Sequence, residues 1–174
     1  MRKMDGSTLR AKRLEVRSHS PEETQFLGRC LGELVQGGDV LLLEGALGTG
    51  KTCLVQGVAH GLGIREYAFS PSFVIVREYH GRLPLHHIDL YRLERSEEIA
   101  DLGLEEYLYG NGVSVVEWAE RGIGLLPRDS LLIRMDYVSQ REAERVIRFR
   151  PGSQRYSALV EQLRLIRDSG KTWS

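Results

Sequence analysis

Cysteine is scarce in this 174-residue chain: only Cys30 and Cys53 are present. Two cysteines cannot build a disulfide framework or a four-ligand zinc site. Both lie in apolar-periodic stretches and read as buried free thiols of a reducing compartment. Long apolar runs are missing too. Val40-Leu41-Leu42-Leu43 falls far short of the roughly 20 residues that a bilayer-spanning helix needs. The opening Met1-Arg2-Lys3-Met4-Asp5-Gly6-Ser7 lacks the apolar centre of a signal peptide, so a soluble, cytoplasmic protein with no membrane contact is expected. Nor is one sign of charge in excess: 24 Lys and Arg balance 24 Asp and Glu. Proteins that neutralise the phosphates of a duplex usually carry a basic surplus, so only a local basic face remains open. Neither internal repeats nor low-complexity linkers divide the chain, and its length suits one domain.

Residues 1–13 carry Arg2, Lys3, Arg10, Lys12 and Arg13 with few large apolar groups. They read as a disordered basic tail before a single domain over 14–168, with 169–174 fraying at the other end. Leu14 to Val16 fits a short edge strand. Ser20-Pro21-Glu22-Glu23 announces a helix: a hydroxyl cap, a proline at the first helical position and a glutamate placed to close a capping box. Phe26, Leu27, Cys30, Leu31, Leu34 and Val35 then form one apolar face, ended by Gly37-Gly38. Val40 to Leu43 is the continuous apolar run of a strand covered on both faces. A glycine-rich turn and a helix from Thr52 to Leu62 follow. Phe73 to Tyr79 and Leu83 to Tyr91, joined at His80-Gly81-Arg82, predict an antiparallel hairpin. Further on come a helical stretch from Ser96 broken at Gly103, a buried strand Val113 to Trp118, two strands over Leu131–Tyr137 and Ala143–Arg150, and a terminal helix marked by Tyr156, Leu159, Val160, Leu163 and Ile166.

Gly45-Ala46-Leu47-Gly48-Thr49-Gly50-Lys51-Thr52 matches G-x-x-x-x-G-K-[ST] at every fixed position, between a buried strand and an amphipathic helix. Glycines at 48 and 50 let successive main-chain amides turn inward around an anion, and the helix N-terminus adds to that field. Lys51 supplies a compact cation for β- and γ-phosphates, and the Thr52 hydroxyl is placed to ligate Mg²⁺. The expected fold is therefore α/β: a P-loop NTPase-like, three-layer arrangement with a mixed, mostly parallel sheet, an antiparallel hairpin and helices on both faces.

Such a loop does not name a reaction by itself. Glu117, at the end of the Val113–Val116 strand, stands where open α/β sheets place their ligand chemistry, able to hold Mg²⁺ directly or through water. Asp89, which closes the returning hairpin strand, suits polarising an attacking water or holding a metal-bound one. It also suits a plain turn cap or an ion pair with Arg92. His86 and His87 are adjacent, so on a strand they face opposite ways and cannot share a metal. Ser70-Pro71-Ser72-Phe73 fits a switch segment whose hydroxyls sense the γ-phosphate or its metal, or a simple turn. Trp118 reads chiefly as a core residue.

Taken together, these segments resemble the TsaE (YjeE) family of small ATPases in bacterial tRNA threonylcarbamoyladenosine (t6A) synthesis. The resemblance rests on the Gly45–Thr52 loop, Ser70-Pro71-Ser72-Phe73, Leu85-His86-His87-Ile88-Asp89-Leu90-Tyr91-Arg92, Val116-Glu117-Trp118-Ala119-Glu120-Arg121 and Gly124-Leu125-Leu126-Pro127. It spans about residues 20–150, and the Asp89 and Glu117 segments are its most specific parts. It implies that Gly45, Ala46 and Leu47 open the phosphate loop and Gly48, Thr49, Gly50, Lys51, Thr52 and Cys53 wrap the phosphates. It further implies that Thr52 and Glu117 serve Mg²⁺, and that Asp89, with Lys51 and Glu117, is needed for hydrolysis. Ser70 and Ser72 resemble switch positions, Glu120 and Arg141 resemble positions near the nucleotide, and Ser20 to Glu23 resemble the part near the base. The family usually has threonine where this chain has Cys53 and Ser72. ATP hydrolysis in such a protein implies a weak intrinsic activity raised by a TsaD–TsaB complex, which it resets between turnovers and through which it meets tRNA.

Three other readings stay open on the residues alone. A small-molecule or nucleoside kinase shares the loop, with Arg141 and Arg145 as a cationic lid if locally helical. A GTPase switch shares the hairpin but lacks an Asn-Lys-x-Asp sequence. A non-hydrolysing nucleotide-binding protein needs no Asp89.

Overall fold

In chain order the elements are β1 (Leu14–Ser18), α1 (Pro21–Leu34), β2 (Val40–Glu44), α2 (Lys51–Gly61), β3 (Val76–His80), β4 (Pro84–Asp89), α3 (Ser96–Ala100), α4 (Glu105–Leu108), β5 (Val113–Glu117), a 3-10 turn at Ala119–Gly122, β6 (Leu131–Val138), β7 (Arg141–Pro151) and α5 (Gln154–Asp168). They come from a computed structural model that describes residues 13–66, 75–139 and 141–170. The expected tail up to Lys12, the switch candidates Ser70 and Ser72, and residues 171–174 lie outside the described residues.

All seven strands form one sheet in the order β1-β7-β6-β2-β5-β4-β3. Four central strands are parallel, through the β6/β2, β2/β5 and β5/β4 ladders. Antiparallel pairing takes both flanks: β3 on β4 at one side, β7 on β6 and β1 on β7 at the other. The sheet is thus mixed as expected, with antiparallel ladders on both sides of the parallel centre. Alternation along β2 separates the two faces. Leu41 and Leu43 join the α1, α2 and α5 side, with Leu31, Leu54, Val58 and Leu159. Val40 and Leu42 join a smaller layer with Ile88, Ile99, Leu104 and Leu108 under the short helices.

The α1 and α2 helices meet through glycine. A Cβ on Gly28 would stand 2.3 Å from the Leu54 carbonyl oxygen, on Gly32 2.3 Å from Val58 O, on Gly57 2.1 Å from Gln25 O and on Gly61 2.2 Å from Arg29 O. Each interior glycine gives up roughly 0.5–1 kcal/mol of helix stability relative to alanine. The backbone contact between the helices is what offsets that loss, and it sets α1's first turn beside α2's first turn.

That first turn departs from the expected capping box. Ser20 caps α1, its hydroxyl accepting from Glu23 N. Glu23, however, accepts from His19 N at 2.6 Å and contacts His19 Nδ1 at 2.9 Å, one residue upstream of the reciprocal position. The Ser18 hydroxyl lies 2.7 Å from Thr24 Oγ1 and ties the end of β1 to the helix.

Alanine at Gly28 or Gly57 should lower stability despite its better helix propensity, by about 1–3 kcal/mol, the range of an overpacked core. Urea denaturation of each variant checks this, and a gain in midpoint would contradict the backbone contact.

Candidate functional site

The loop between β2 and α2 depends on three glycines at positive φ: Gly45 at 145°, Gly48 at 77° and Gly50 at 99°. A side chain at Gly48 would also meet Tyr137 Oη at 2.7 Å. Gly50 caps α2 with no side-chain bond to its first amides. Those N–H groups are the orphan donors that favour an anion. Lys51 Nζ folds back onto the Gly45 and Ala46 carbonyls at 2.6 and 3.0 Å and lies 3.8 Å from the centre of the Trp118 ring. Burial pushes the Lys51 ammonium below its ordinary pKa, against the upward pull of Glu117, Glu120 and Asp89.

Sheet register supplies the acids. Asp89 at the end of β4 pairs with Glu117 at the end of β5, and Glu117 pairs with Leu43 of β2. Both carboxylates therefore reach the carboxyl edge of the parallel strands beside the loop, where crevices of open α/β sheets lie. Both are buried. The Thr52 hydroxyl lies 3.0 Å from each oxygen of Glu117. Asp89 Oδ1 accepts from Tyr91 N at 2.9 Å. A cleft of about 230 Å³ is lined by Leu47, Gly48, Lys51, Thr52, Asp89, Tyr91, Glu117 and Trp118.

A second cleft, of about 260 Å³, opens on the other side of the loop. Ser20, Pro21 and Thr24 of α1 face Gly48, Thr49, Gly50 and Cys53 there, with Glu142, Ala143 and Arg145 of β7 closing it. Cys53 and the segment around Ser20 thus face each other across this cleft. Cys53 is half-buried rather than buried, and its thiol donates to Pro21 O at 3.2 Å. Glu120 sits close enough to pull on both Lys51 and Glu44: it adds to the burial that raises the Glu44 pKa and opposes the burial that lowers that of Lys51.

Four residues hold places that the sequence reading did not give them. His87 is fully buried, with Nε2 2.7 Å from Glu117 Oε1. An ionised carboxylate only accepts, so the ring nitrogen donates and orients the acid. Trp118 is half-buried rather than core, and alone among the described non-glycine residues has positive φ, at 58°. Its ring is the floor under Lys51, and Arg121 stands 5.5 Å from the Trp118 and Tyr91 rings. Arg141 bonds Glu144 at 2.6 Å, whereas Arg145 donates to Thr49 O at 3.1 Å and Gly48 O at 3.3 Å. Both arginines belong to a strand, so the locally helical lid does not form. Tyr137 Oη donates to Leu47 O at 2.6 Å. Apart from the Lys51-Thr52 motif, the clearest sequence signals were the adjacent acid and tryptophan and the histidine two residues before Asp89.

These groups fit a polyphosphate with a hard cation. The loop has open amides and a buried cation, and Thr52 and Glu117 supply oxygen donors of the kind Mg²⁺ takes. Among the described residues no group of three or more His, Cys, Asp or Glu could hold a metal. No helix among them is long and apolar enough to cross a membrane.

Residues 18–147 match the family model described as "Threonylcarbamoyl adenosine biosynthesis protein TsaE". A Bacillus subtilis protein named tRNA threonylcarbamoyladenosine biosynthesis protein TsaE is 44% identical over 153 residues, 87% of this chain and 94% of that protein. A Treponema pallidum protein of the same name is 46% identical over 118 residues, 68% of this chain and 87% of that one. The crystal structure of Bacillus subtilis YdiB superposes with a TM-score of 0.78 at 39% identity, covering 90% of this chain and 97% of that one.

Because folding lowers the Lys51 pKa, the folded state binds that proton less tightly than the unfolded chain. The charge therefore costs stability below the folded pKa, and the cost fades as pH rises through it. Lys51→Met keeps the bulk of the stem without the charge. At neutral pH it should melt no lower than the wild type without ligand, yet lose the upward shift that Mg-ADP gives. A matching ligand-induced shift in this variant would remove Lys51 from the anion site.

Proposed function

The chain belongs to the TsaE family of threonylcarbamoyl adenosine biosynthesis proteins, and from that membership we propose that it is the ATP-binding and ATP-hydrolysing subunit required for t6A modification of tRNA. The observation that carries the reading is Thr52 Oγ1 at 3.0 Å from both Glu117 oxygens, beside the buried Lys51 under the loop. ATP lies with its phosphates along residues 45–53 and its base toward Ser20, Pro21 and the β7 hairpin. Thr52 and Glu117 would hold Mg²⁺, which would supply charge neutralisation at the phosphate oxygens. Lys51 leaves the Gly45 and Ala46 carbonyls for the β- and γ-phosphates. Asp89 orients the attacking water from the end of β4, while Ser70 and Ser72 serve as the switch segment. Thr49 and Gly50 amides, with Cys53 at the pocket wall, complete the cradle.

Hydrolysis here is slow alone and works on a partner. The protein acts with a TsaD–TsaB complex in the cytoplasm, resetting it between turnovers, and meets tRNA through that complex. A net charge of +0 suits a subunit that leaves most phosphate contacts to others.

Lys51→Ala should remove measurable ATP binding in calorimetry. Asp89→Ala and Glu117→Ala should keep binding and lower turnover by about a hundredfold or more, as loss of a positioned acid or base does. Equal loss of binding in all three would contradict this division of roles. Phosphate release measured with and without purified TsaD, TsaB and tRNA should rise when they are present; an unchanged rate would overturn the assignment.

A further inference from the structure

The β6–β7 hairpin touches the loop from outside at consecutive carbonyls. Tyr137 and Arg145 are direct cross-strand partners, and the guanidinium lies 4.4 Å from the phenol ring centre. Tyr137 Oη takes Leu47 O, while Arg145 takes Gly48 O and Thr49 O. The remaining Arg145 nitrogen is anchored on the Glu142 and Glu144 carbonyls. Three peptide planes in a row are thus fixed by their oxygens.

In a planar trans peptide the C=O of one residue and the N–H of the next point in opposite directions. Holding the oxygens of Leu47, Gly48 and Thr49 toward the hairpin therefore turns the N–H groups of Gly48, Thr49 and Gly50 away from it. The Thr49 amide is used within the loop, donating to Ala46 O at 3.3 Å, the carbonyl that also receives Lys51. We propose that Tyr137 and Arg145 are positioning residues whose bonds to the loop's outer carbonyls aim its amides at the nucleotide's β-phosphate. Tyr137 has no need to touch the nucleotide, whereas Arg145 also lines the cleft assigned to the base. The proposal rests on the nucleotide reading above and adds residues outside the G-x-x-x-x-G-K-[ST] motif to the phosphate site.

The experiment compares dissociation constants of AMP and ADP, by displacement of a fluorescent ADP analogue, in wild type, Tyr137→Phe, Arg145→Gln and Arg145→Lys. Tyr137→Phe keeps the ring and removes only the donor; Arg145→Lys keeps the charge and loses the fork. The ADP-over-AMP preference should fall by about threefold to tenfold in Tyr137→Phe, the worth of one hydrogen bond. It should fall by about tenfold or more in Arg145→Gln, where bonds from a charged donor are lost. Arg145→Lys should stay impaired, and in Tyr137→Phe, whose residue does not line the base cleft, AMP affinity should move by less than about twofold, since AMP has no β-phosphate to feel the amides. An unchanged preference in Tyr137→Phe and Arg145→Gln would overturn the proposal. So would full recovery with lysine, which would make Arg145 a simple point charge, or equal losses for AMP and ADP in Tyr137→Phe, which would make the hairpin a general structural support. A wild type with no preference for ADP would overturn the nucleotide reading itself, and the proposal with it.

Discussion

Lys51 carries a positive charge into a position where only 4% of the residue meets solvent, and the surrounding structure is arranged around that charge. Two loop carbonyls and the face of Trp118 replace its water. Three carboxylates, Glu117, Glu120 and Asp89, oppose its loss of a proton, yet burial still wins and the pKa falls. A cation kept short of ideal partners has more to gain from a multiply charged anion than a solvated lysine would. The odd backbone of Trp118 fits this picture. A left-handed conformation costs a non-glycine residue of order 1 kcal/mol, and here it lays an indole under the ammonium.

The parallel centre of the sheet does the alignment. Asp89, Glu117 and Leu43 stand at matched register on β4, β5 and β2, so the acids reach the phosphate loop without long side chains. His87, two residues before Asp89 on the same strand, then steadies Glu117 from within the sheet. One histidine of the adjacent pair serves the site for that reason: alternation puts its neighbour His86 on the other face, edge-on to Tyr107.

Much of this was legible in the residues. The glycine–lysine–threonine spelling between a buried strand and a helix fixed the loop, and the strand ends placed Glu117 and Asp89. Other parts were hidden for physical reasons. Trp118 reads as core because apolar aromatic content signals burial and says nothing of a positive φ. Arg145 could not be told from Arg141, since which arginine faces the loop depends on hairpin register, and that register shifts between Tyr137 and Val138. The capping box slipped to His19 because Glu23 found a backbone donor and an imidazole together one residue earlier. Gly28, Gly32, Gly57 and Gly61 carried a readable signal, four residues apart in each helix. It shows only when the two helices are read against each other, for the spacing means nothing until a partner backbone is present.

Those interlocked helices have a mechanical consequence. Where main chain meets main chain at the four glycines, no side chain lies between to change rotamer, which leaves α1 and α2 little room to slide past each other. Gly50, where the anion site meets the head of α2, shares a cleft with Pro21 and Thr24, and Thr24 is tied to β1 through the Ser18 hydroxyl. An unbroken chain of contacts thus joins the phosphate loop to the outer edge of the sheet, five strands' breadth of backbone from Asp89.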